Sequence, residues 1–149
     1  MKSDHAITVR NAQRHLPLDR PALQNFAEQA LRLCLTSDAV AAHRRDHLPR
    51  QIDVLLVSDR RIATLHKKFM SIPGPTDVIT FQHGEIFVSV ETAKRNARRF
   101  QSSTGNEIRL YLVHGLLHLL GFDDKKPAEA RRMETMQSEV VAMASASAR

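Results

Sequence analysis

The stretch EIRLYLVHGLLHLLGFDD, residues 107–124, is the most informative part of the chain. Its apolar residues recur on every side rather than along one stripe, which predicts a helix from about 106 to 120 that is buried nearly all round. Gly121 is expected to end this helix, since glycine readily takes the left-handed conformation that follows many helix C-termini. The segment therefore predicts a central buried helix against which the rest of the domain packs.

Two histidines, His114 and His118, stand four residues apart within this apolar helix. At that spacing both rings project from one face, about one turn apart, and can bind a single divalent ion. A carboxylate just past Gly121 can complete the site, and Asp123 and Asp124 are the candidates. Two imidazoles and one carboxylate with an open fourth position are typical of catalytic zinc. The alternative is that both histidines are core residues with satisfied hydrogen bonds and that the aspartates lie in a solvated turn.

Two further residues of the segment bear on its chemistry. In helices of the HExxH metalloprotease type, the residue after the first histidine is a glutamate that acts as general base. Gly115 occupies that position here, so this base is missing, and the small residue predicts a close approach of backbone or substrate. Glu107 lies two turns before His114 and can orient a ligand imidazole. The alternative for Glu107 is a first-turn acid that interacts with the helix dipole.

Outside this segment the chain mixes strand and helix patterns. The predicted strands are 7–12, 52–58, 76–81 and 85–90, with a tight turn at 82–84 between the last two. The other predicted helices are 20–36, capped by Asp19, then 59–69, capped by Ser58 or Asp59, then 91–101, and a last helix that begins near Pro127. Residues 37–50 are expected to form a loop or a short helix, and residues 144–149 a frayed tail. This mixture predicts an α+β domain in which about four strands form one mixed sheet covered by about five helices.

Length, charge and composition limit the class of protein. The 149 residues carry 22 Lys and Arg against 16 Asp and Glu, for a net charge of +6 with neutral histidines. That surplus favours an anionic partner, while one Tyr, six Phe and no Trp leave little material for a base-stacking platform. The single Cys34 excludes an internal disulfide, and neither a secretory signal nor a membrane span is evident. We therefore expect a cytoplasmic protein of one domain, residues 1–149, without membrane association.

Four ordered landmarks between residues 52 and 140 resemble a known family. HGLLHLLGFDD, residues 114–124, is similar to the signature HGxLHLxGYDH of the YbeY family of rRNA-maturation endoribonucleases. LHKKFMSIPGPTDVITF at 65–81 resembles its LNxxYRxKDxPTDVLSF, GEIFVS at 84–89 resembles its GDIxIS, and Glu107 falls where the family places a glutamate. The resemblance implies a zinc-dependent endoribonuclease that cleaves single-stranded RNA in rRNA maturation and ribosome quality control.

The resemblance also implies one zinc ion per chain, held by His114, His118 and the last residue of the signature. That residue is a histidine in the family and Asp124 here, which is a competent zinc ligand but would make the ion less electrophilic. Asp123 would then support the ligands from outside the coordination sphere. The family's Tyr-Arg pair is Phe69-Met70 here, so the charged fork that an arginine offers to a phosphate is missing. The attacking group, a water or the ribose 2′-OH, stays open.

Cations near these motifs are the candidates for RNA binding, and a solvated surface is the alternative for each. They are Lys67, Lys68, Lys94, Arg95, Arg98, Arg99 and Arg109. The expected partners are rRNA precursors and the small ribosomal subunit, with no DNA, while the oligomeric state stays open. Two other functions compete: a metal-dependent hydrolase of another bond, such as a peptide, and a ribosome-associated homologue that the changes at Met70 and Asp124 have weakened or inactivated.

Overall fold

The computed structural model describes residues 4–40 and 42–147, which form one mixed sheet and its covering helices. The elements are β1 (Ala6–Asn11), α1 (Arg20–Thr36), α2 (Ala42–Arg45), β2 (Gln51–Val57), α3 (Asp59–Met70), β3 (Val78–Phe81), β4 (Glu85–Ser89), α4 (Val90–Arg99), α5 (Thr104–Leu119) and α6 (Pro127–Ser147). Five of the helices have ten or more residues, while α2 is a single turn. The predicted α+β domain with a four-stranded mixed sheet is confirmed. No helix within the described ranges combines the length and the apolar character that a bilayer crossing requires.

The sheet has the strand order β1-β2-β4-β3. β1, β2 and β4 run parallel, and β3 lies antiparallel to β4 at one edge. The predicted turn between β3 and β4 is confirmed, because the amide of Gly84 donates to the carbonyl of Phe81 at 2.9 Å. Gly84 has φ of 123°, and a Cβ there would lie 2.6 Å from the carbonyl oxygen of Gln51. Only glycine therefore fits this turn against the start of β2.

The two faces of the sheet support apolar clusters of unequal size. Side chains alternate between faces along a strand, so Val54 and Leu56 of β2 join the large core while Val57 joins the small cluster on the other side. The large core contains the buried faces of α1, α5 and α6, and the small cluster lies under α3. As a result α5 is enclosed by the sheet and other helices, as its apolar sequence predicts.

Side-chain caps define where four of the helices begin. Asp19, Ser58, Ser89 and Ser103 each accept a hydrogen bond from the backbone amide three residues ahead, at 3.0, 3.2, 3.2 and 3.0 Å. Such a bond satisfies one of the unpaired amides of the first turn and contributes about 1 kcal/mol. The predicted cap at Asp19 is confirmed, and Ser58 rather than Asp59 caps α3.

Most predicted boundaries differ from the structure by one or two residues, and specific contacts explain the differences at β3 and at the end of α6. β3 begins at Val78 rather than at 76, because the carboxylate of Asp77 accepts a hydrogen bond from the amide of Val78 at 2.7 Å and turns the chain there. The tail predicted to fray from 144 instead continues α6 through Ser147. Ala144 is fully buried in the large core, which explains why the helix persists, and residues 148–149 lie outside the described part of the chain.

Candidate metal centre

The metal-binding histidines predicted from the sequence lie side by side on α5. Each side chain retains 26% of its exposure, so both reach the surface from a helix that is otherwise buried. Their rings are 4.6 Å apart between centroids and nearly perpendicular, at 81°. The Nε2 atom of His114 lies 3.0 Å from the Nε2 atom of His118. The four-residue spacing therefore brings the two Nε2 atoms close enough to bind one ion.

The end of α5 delivers the carboxylate. Gly121 has φ of 88°, its amide donates to His118 O at 2.9 Å, and the amide of Phe122 donates to Leu117 O at 3.0 Å. These are the two hydrogen bonds of a Schellman motif, so the predicted glycine stop is confirmed. The chain then reverses and places Oδ2 of Asp124 3.6 Å from Nε2 of His114 and 3.9 Å from Nε2 of His118.

Asp123 supports this reversal from the neighbouring position. Its Oδ1 atom accepts hydrogen bonds from the amides of Asp124 at 2.7 Å and Lys125 at 3.1 Å. The side chain thus holds the backbone that carries the ligand carboxylate and does not itself join the three converging atoms. The supporting role expected for Asp123 stays a prediction.

The hydrogen bonds around both rings show that the three atoms suit a cation. Nδ1 of His114 faces Oε1 of Gln137 at 2.8 Å, and Nδ1 of His118 faces the carbonyl oxygen of Phe122 at 3.0 Å. Because both partners are acceptors, we assign the proton of each neutral ring to Nδ1, which leaves a lone pair on each Nε2. Two lone pairs and a carboxylate oxygen then meet with no proton between them. A divalent ion resolves this repulsion.

The spacing of the three atoms also fits zinc. The three distances between these atoms, 3.0, 3.6 and 3.9 Å, bracket the separation of about 3.4 Å between two ligands that lie about 2.1 Å from a tetrahedral ion. The pKa of His118 is lowered, first by burial and then by the neighbouring His114, while Asp124 and the Phe122 carbonyl act in the opposite direction. His118 is therefore in its neutral, metal-binding form near pH 7.

The three ligands open into a cleft with a volume of about 680 Å³. Its opposite wall is the edge strand β3, and Met70 at the end of α3 also lines it. The charged lining comprises Asp77, Asp123, Asp124 and Lys125. Gln82 reaches from the β3–β4 turn to the carbonyl of His118 at 3.5 Å. The cleft thus has one wall of mixed polar and apolar residues from α3, β3 and the β3–β4 turn, and another wall that carries the candidate ligands.

The role expected for Glu107 falls to other residues. Glu107 is buried in the first turn of α5, near enough to Tyr111 for its charge to act on the phenol. Burial raises the pKa of Tyr111 to about 12, and the charge of Glu107 adds to the rise while a hydrogen bond from Asn96 opposes it. The Nδ1 atoms of His114 and His118 already face other hydrogen-bond partners, namely Gln137 and the Phe122 carbonyl. These partners, and not Glu107, therefore orient the two rings.

The seven cations expected to bind RNA lie apart from the metal ligands. Within the described part of the chain, none of the seven lines the cleft. The lysine that does line it is Lys125. Arg95 is paired with Asp59, and the guanidinium of Arg109 lies 5.4 Å from the ring of Phe26. The remaining five are Lys67 and Lys68 in the last turn of α3 and Lys94, Arg98 and Arg99 on the exposed side of α4.

Gly115 has a structural explanation inside the fold. A Cβ at this position would lie 2.6 Å from Cγ2 of Ile86 on β4, so α5 approaches the sheet too closely for any side chain. The close approach predicted for Gly115 is therefore to another side chain of the core. The same contact removes the room that the glutamate of an HExxH helix would require.

Comparisons with known proteins agree with this architecture. The family model described as Endoribonuclease YbeY matches residues 8–145. A curated relative of that name from Anaeromyxobacter sp. (strain Fw109-5) is 36% identical over 144 residues, which cover 90% of this chain and 70% of the relative. Another, from Thermobifida fusca (strain YX), is 36% identical over 115 residues, which cover 66% of this chain and 74% of the relative.

A solved structure shows the same fold. The solution structure of TM1509 from Thermotoga maritima superposes with a TM-score of 0.64 at 25% sequence identity, covering 93% of this chain and 89% of that chain. The family match extends over nearly all of the described residues and includes every residue of the candidate metal centre. The chain therefore belongs to the YbeY endoribonuclease family.

Proposed function

We propose that the protein is a zinc-dependent endoribonuclease that cleaves single-stranded RNA in rRNA maturation and ribosome quality control in the cytoplasm. The observation that carries the proposal is the convergence of two imidazole nitrogens and one carboxylate oxygen, from His114, His118 and Asp124, at a single point. The reaction class comes from the relatives, which are named endoribonucleases. The proposed partners are rRNA precursors and the small ribosomal subunit.

The chain's own residues prepare the site for one ion. Acceptors at Nδ1 of His114 and His118 orient both rings with Nε2 toward the ion, and the Asp123 carboxylate fixes the backbone of Asp124. When bound, a divalent ion supplies Lewis acidity at the scissile phosphate. The single carboxylate among the ligands partly neutralises the ion, so we expect weaker polarisation than three imidazoles would allow.

The cleft places one cation beside the ligands. Lys125 follows Asp124 directly and lines the same cleft, so its ammonium can bind a phosphate oxygen of the substrate. Met70 lines the cleft at the position where the family motif has an arginine. Its side chain therefore offers the substrate an apolar surface in place of a positive charge. We infer that phosphate binding at the metal centre is weaker here than a chain with that arginine would achieve.

The rival functions receive less support. A peptidase of the HExxH type needs a glutamate at 115, and Ile86 occupies the space that its side chain would enter. An inactive ribosome-associated homologue would have no need for a third ligand, yet Oδ2 of Asp124 lies within 3.9 Å of both ring nitrogens. Asp124 therefore favours a protein that still binds its metal.

Metal analysis combined with an RNase assay tests the proposal. We expect about one zinc per purified chain, and cleavage of single-stranded but not double-stranded RNA that disappears in His118→Ala. The matched control is His47→Ala, because His47 is exposed and is not one of the ligands. Equal cleavage by both variants would contradict catalysis at this site, and absence of divalent metal from the wild type and His114→Ala alike would overturn the zinc centre.

The same proteins separate the rival functions. Peptide hydrolysis that depends on His118 would favour the peptidase. Stable, metal-free protein that binds 30S subunits without cleaving RNA would favour the inactive homologue.

A further inference from the structure

A second cavity lies on the other side of the loop that follows α5. It has a volume of about 390 Å³ and is lined by Phe122 of the loop and by one face of α6, including Arg131, Arg132 and Met136. We propose that this α6 cavity is a second nucleotide subsite, which holds a nucleotide of the RNA strand on one side of the scissile phosphate. The inference rests on the proposed function, since it concerns the same substrate.

The charges of the metal cleft require a second contact with the RNA. Asp77, Asp123 and Asp124 line that cleft together with the single ammonium of Lys125. A divalent ion only balances this excess of carboxylates, so the cleft by itself has little attraction for a polyanion. Cations outside it must supply the electrostatic part of RNA binding, which dominates affinity for nucleic acid.

The α6 cavity supplies such cations close by. Two exposed arginines, Arg131 and Arg132, line it together with one carboxylate residue, Glu139. Within residues 4–40 and 42–147, neither arginine forms an ion pair with a carboxylate, so both are available to a ligand. A planar guanidinium binds phosphate oxygens bidentately, which makes a phosphate the fitting ligand. A third cavity on α6, around Leu110 and Ser138, has only neutral side chains.

The lining of the cavity also suits a base. Positions 128, 132 and 136 lie four residues apart along α6, as do 131, 135 and 139, so both sets face the same side of the helix. Met136 is buried and, with Ala128 and Phe122, supplies the apolar part of the lining, whereas Arg131 and Arg132 are exposed. A lining that is partly apolar and partly cationic matches the two halves of a nucleotide, and the volume falls in the usual range of about 300–1,000 Å³ for ligand sites.

Phe122 connects this cavity to the metal centre. Its side chain lines both cavities, and its carbonyl accepts the hydrogen bond from Nδ1 of His118 at 3.0 Å. The guanidinium carbon of Arg44 lies 4.2 Å from the centre of the Phe122 ring, which fixes the ring and adds positive charge beside the crossing. A strand that leaves the metal cleft across Phe122 therefore enters a positively charged cavity.

The test compares two pairs of arginines. The binding variant is Arg131→Ala with Arg132→Ala, and the matched control is Arg60→Ala with Arg61→Ala, two adjacent exposed arginines near the start of α3. The probe is a labelled single-stranded 2′-O-methyl RNA decamer, titrated into metal-loaded protein at several KCl concentrations and checked on a gel for integrity. We expect the binding variant alone to reduce the slope of log K against log salt by about 1.4, as loss of two phosphate contacts on a single strand predicts.

Competition identifies the ligand class. We expect uridine monophosphate to displace the decamer from the wild type, inorganic phosphate to do so less well, and the binding variant to abolish the difference. Equal competition by both probes would overturn a nucleotide subsite, and so would equal slopes for the two pairs of variants. Unchanged RNA binding with lost binding to 30S subunits would assign the surface to a protein partner instead, which also overturns the proposal.

The result is independent of the RNase assay. If the wild type cleaves RNA and the arginine pair has no effect, the subsite fails while the proposed function stands. If the pair has its effect but His118→Ala and wild type cleave alike, the proposed function fails while the subsite stands. Thermal melting of all variants confirms that each is folded.

Discussion

Nδ1 of His114 lies 2.8 Å from Oε1 of Gln137, although the two residues are 23 positions apart and belong to different helices. The contact fixes the ring of a metal ligand on α5 through a side chain of α6. Because the amide oxygen is an acceptor, it also holds the proton on Nδ1 and leaves Nε2 free for the ion. The long C-terminal helix is thus part of the candidate metal centre.

Replacing this amide should weaken metal binding. We expect Gln137→Leu to lower zinc affinity by about 10–100-fold, which is the usual cost of removing a partner of a ligand imidazole. Gln137→Glu keeps an oxygen acceptor at the same place and should retain or increase the affinity. Competition with a chromophoric chelator measures both, and equal affinity of the leucine and glutamate variants would contradict a role for the hydrogen bond.

The three candidate ligands could be brought together from sequence alone because their convergence depends on local geometry. His114 and His118 belong to one helical turn, and Asp124 follows from the glycine stop at Gly121, so no contact between distant elements is needed. Gln137 could not be assigned in this way, since its position beside His114 depends on how α6 packs against α5. The sequence around Gln137 indicates only that it lies next to the apolar stripe that contains Met133 and Met136. Many polar residues lie next to such a stripe without contacting a metal site.

The packing of α5 on the sheet leads to a prediction about stability. We expect Gly115→Ala to destabilise the protein by about 1–3 kcal/mol, because the added methyl would lie 2.6 Å from Cγ2 of Ile86 and 2.9 Å from Cδ1 in a closed core. Gly105→Ala in the first turn of α5 is the control, since no atom lies within 4 Å of its Cβ, and it should stabilise the helix by up to about 1 kcal/mol. Urea unfolding measures both changes.

A double variant identifies the contact responsible. Ile86→Ala removes the Cγ2, Cδ1 and Cγ1 atoms that would lie 2.6, 2.9 and 3.0 Å from a Cβ at 115, so the two substitutions together should cost less than the sum of their separate effects. Strict additivity, or equal effects of alanine at 105 and 115, would show that the contact with Ile86 does not limit residue 115.

The start of α3 predicts a dependence of stability on pH. Oδ1 of Asp59 accepts from the hydroxyls of Ser89 and Thr92, both at 2.7 Å, and Oδ2 accepts from Arg95 at 2.5 Å. Burial alone would raise the pKa of this carboxyl, but the hydrogen bonds and the charge of Arg95 outweigh it and hold the pKa below its usual value. The pKa in the folded state is therefore below that in the unfolded chain, about 3.9.

The sign of the effect follows from linkage. The charged carboxylate stabilises the fold above the unfolded-state pKa, and this contribution is lost as the pH falls through the folded-state pKa. We expect Asp59→Asn to lower the urea midpoint at neutral pH and the gap from wild type to narrow below about pH 4. Asp46→Asn, at an exposed position, is the control. A gap that stays constant between pH 7 and pH 3 would contradict the mechanism.

The type and order of the helices and strands could be predicted more accurately than the residues at which they begin and end. The short, β-branched apolar run of β2 and the turn at 82–84 depend on neighbouring residues alone, and both lie within one residue of the predicted positions. The start of β3 depends on a hydrogen bond that the Asp77 side chain accepts, which follows no sequence pattern, and the end of α6 depends on burial of Ala144 by other elements.

Cations were the least predictable part of the site. A basic residue near a motif need not face the ligands, and in this chain Lys125 does so whereas Arg95 pairs with Asp59.

Met70 allows a direct test of where the phosphate backbone passes. Its side chain is 45% exposed and lines the metal cleft, so an arginine there would place a guanidinium beside the proposed path of the RNA. We expect Met70→Arg to strengthen binding of single-stranded RNA and to increase the salt dependence by one phosphate contact, a change of about 0.7 in the slope of log K against log salt. Met143→Arg is the matched control, because Met143 is 56% exposed on α6 and lies outside the described cavities. If both variants raise affinity equally, the gain reflects net charge alone, and if neither changes the slope, the strand does not pass the end of α3.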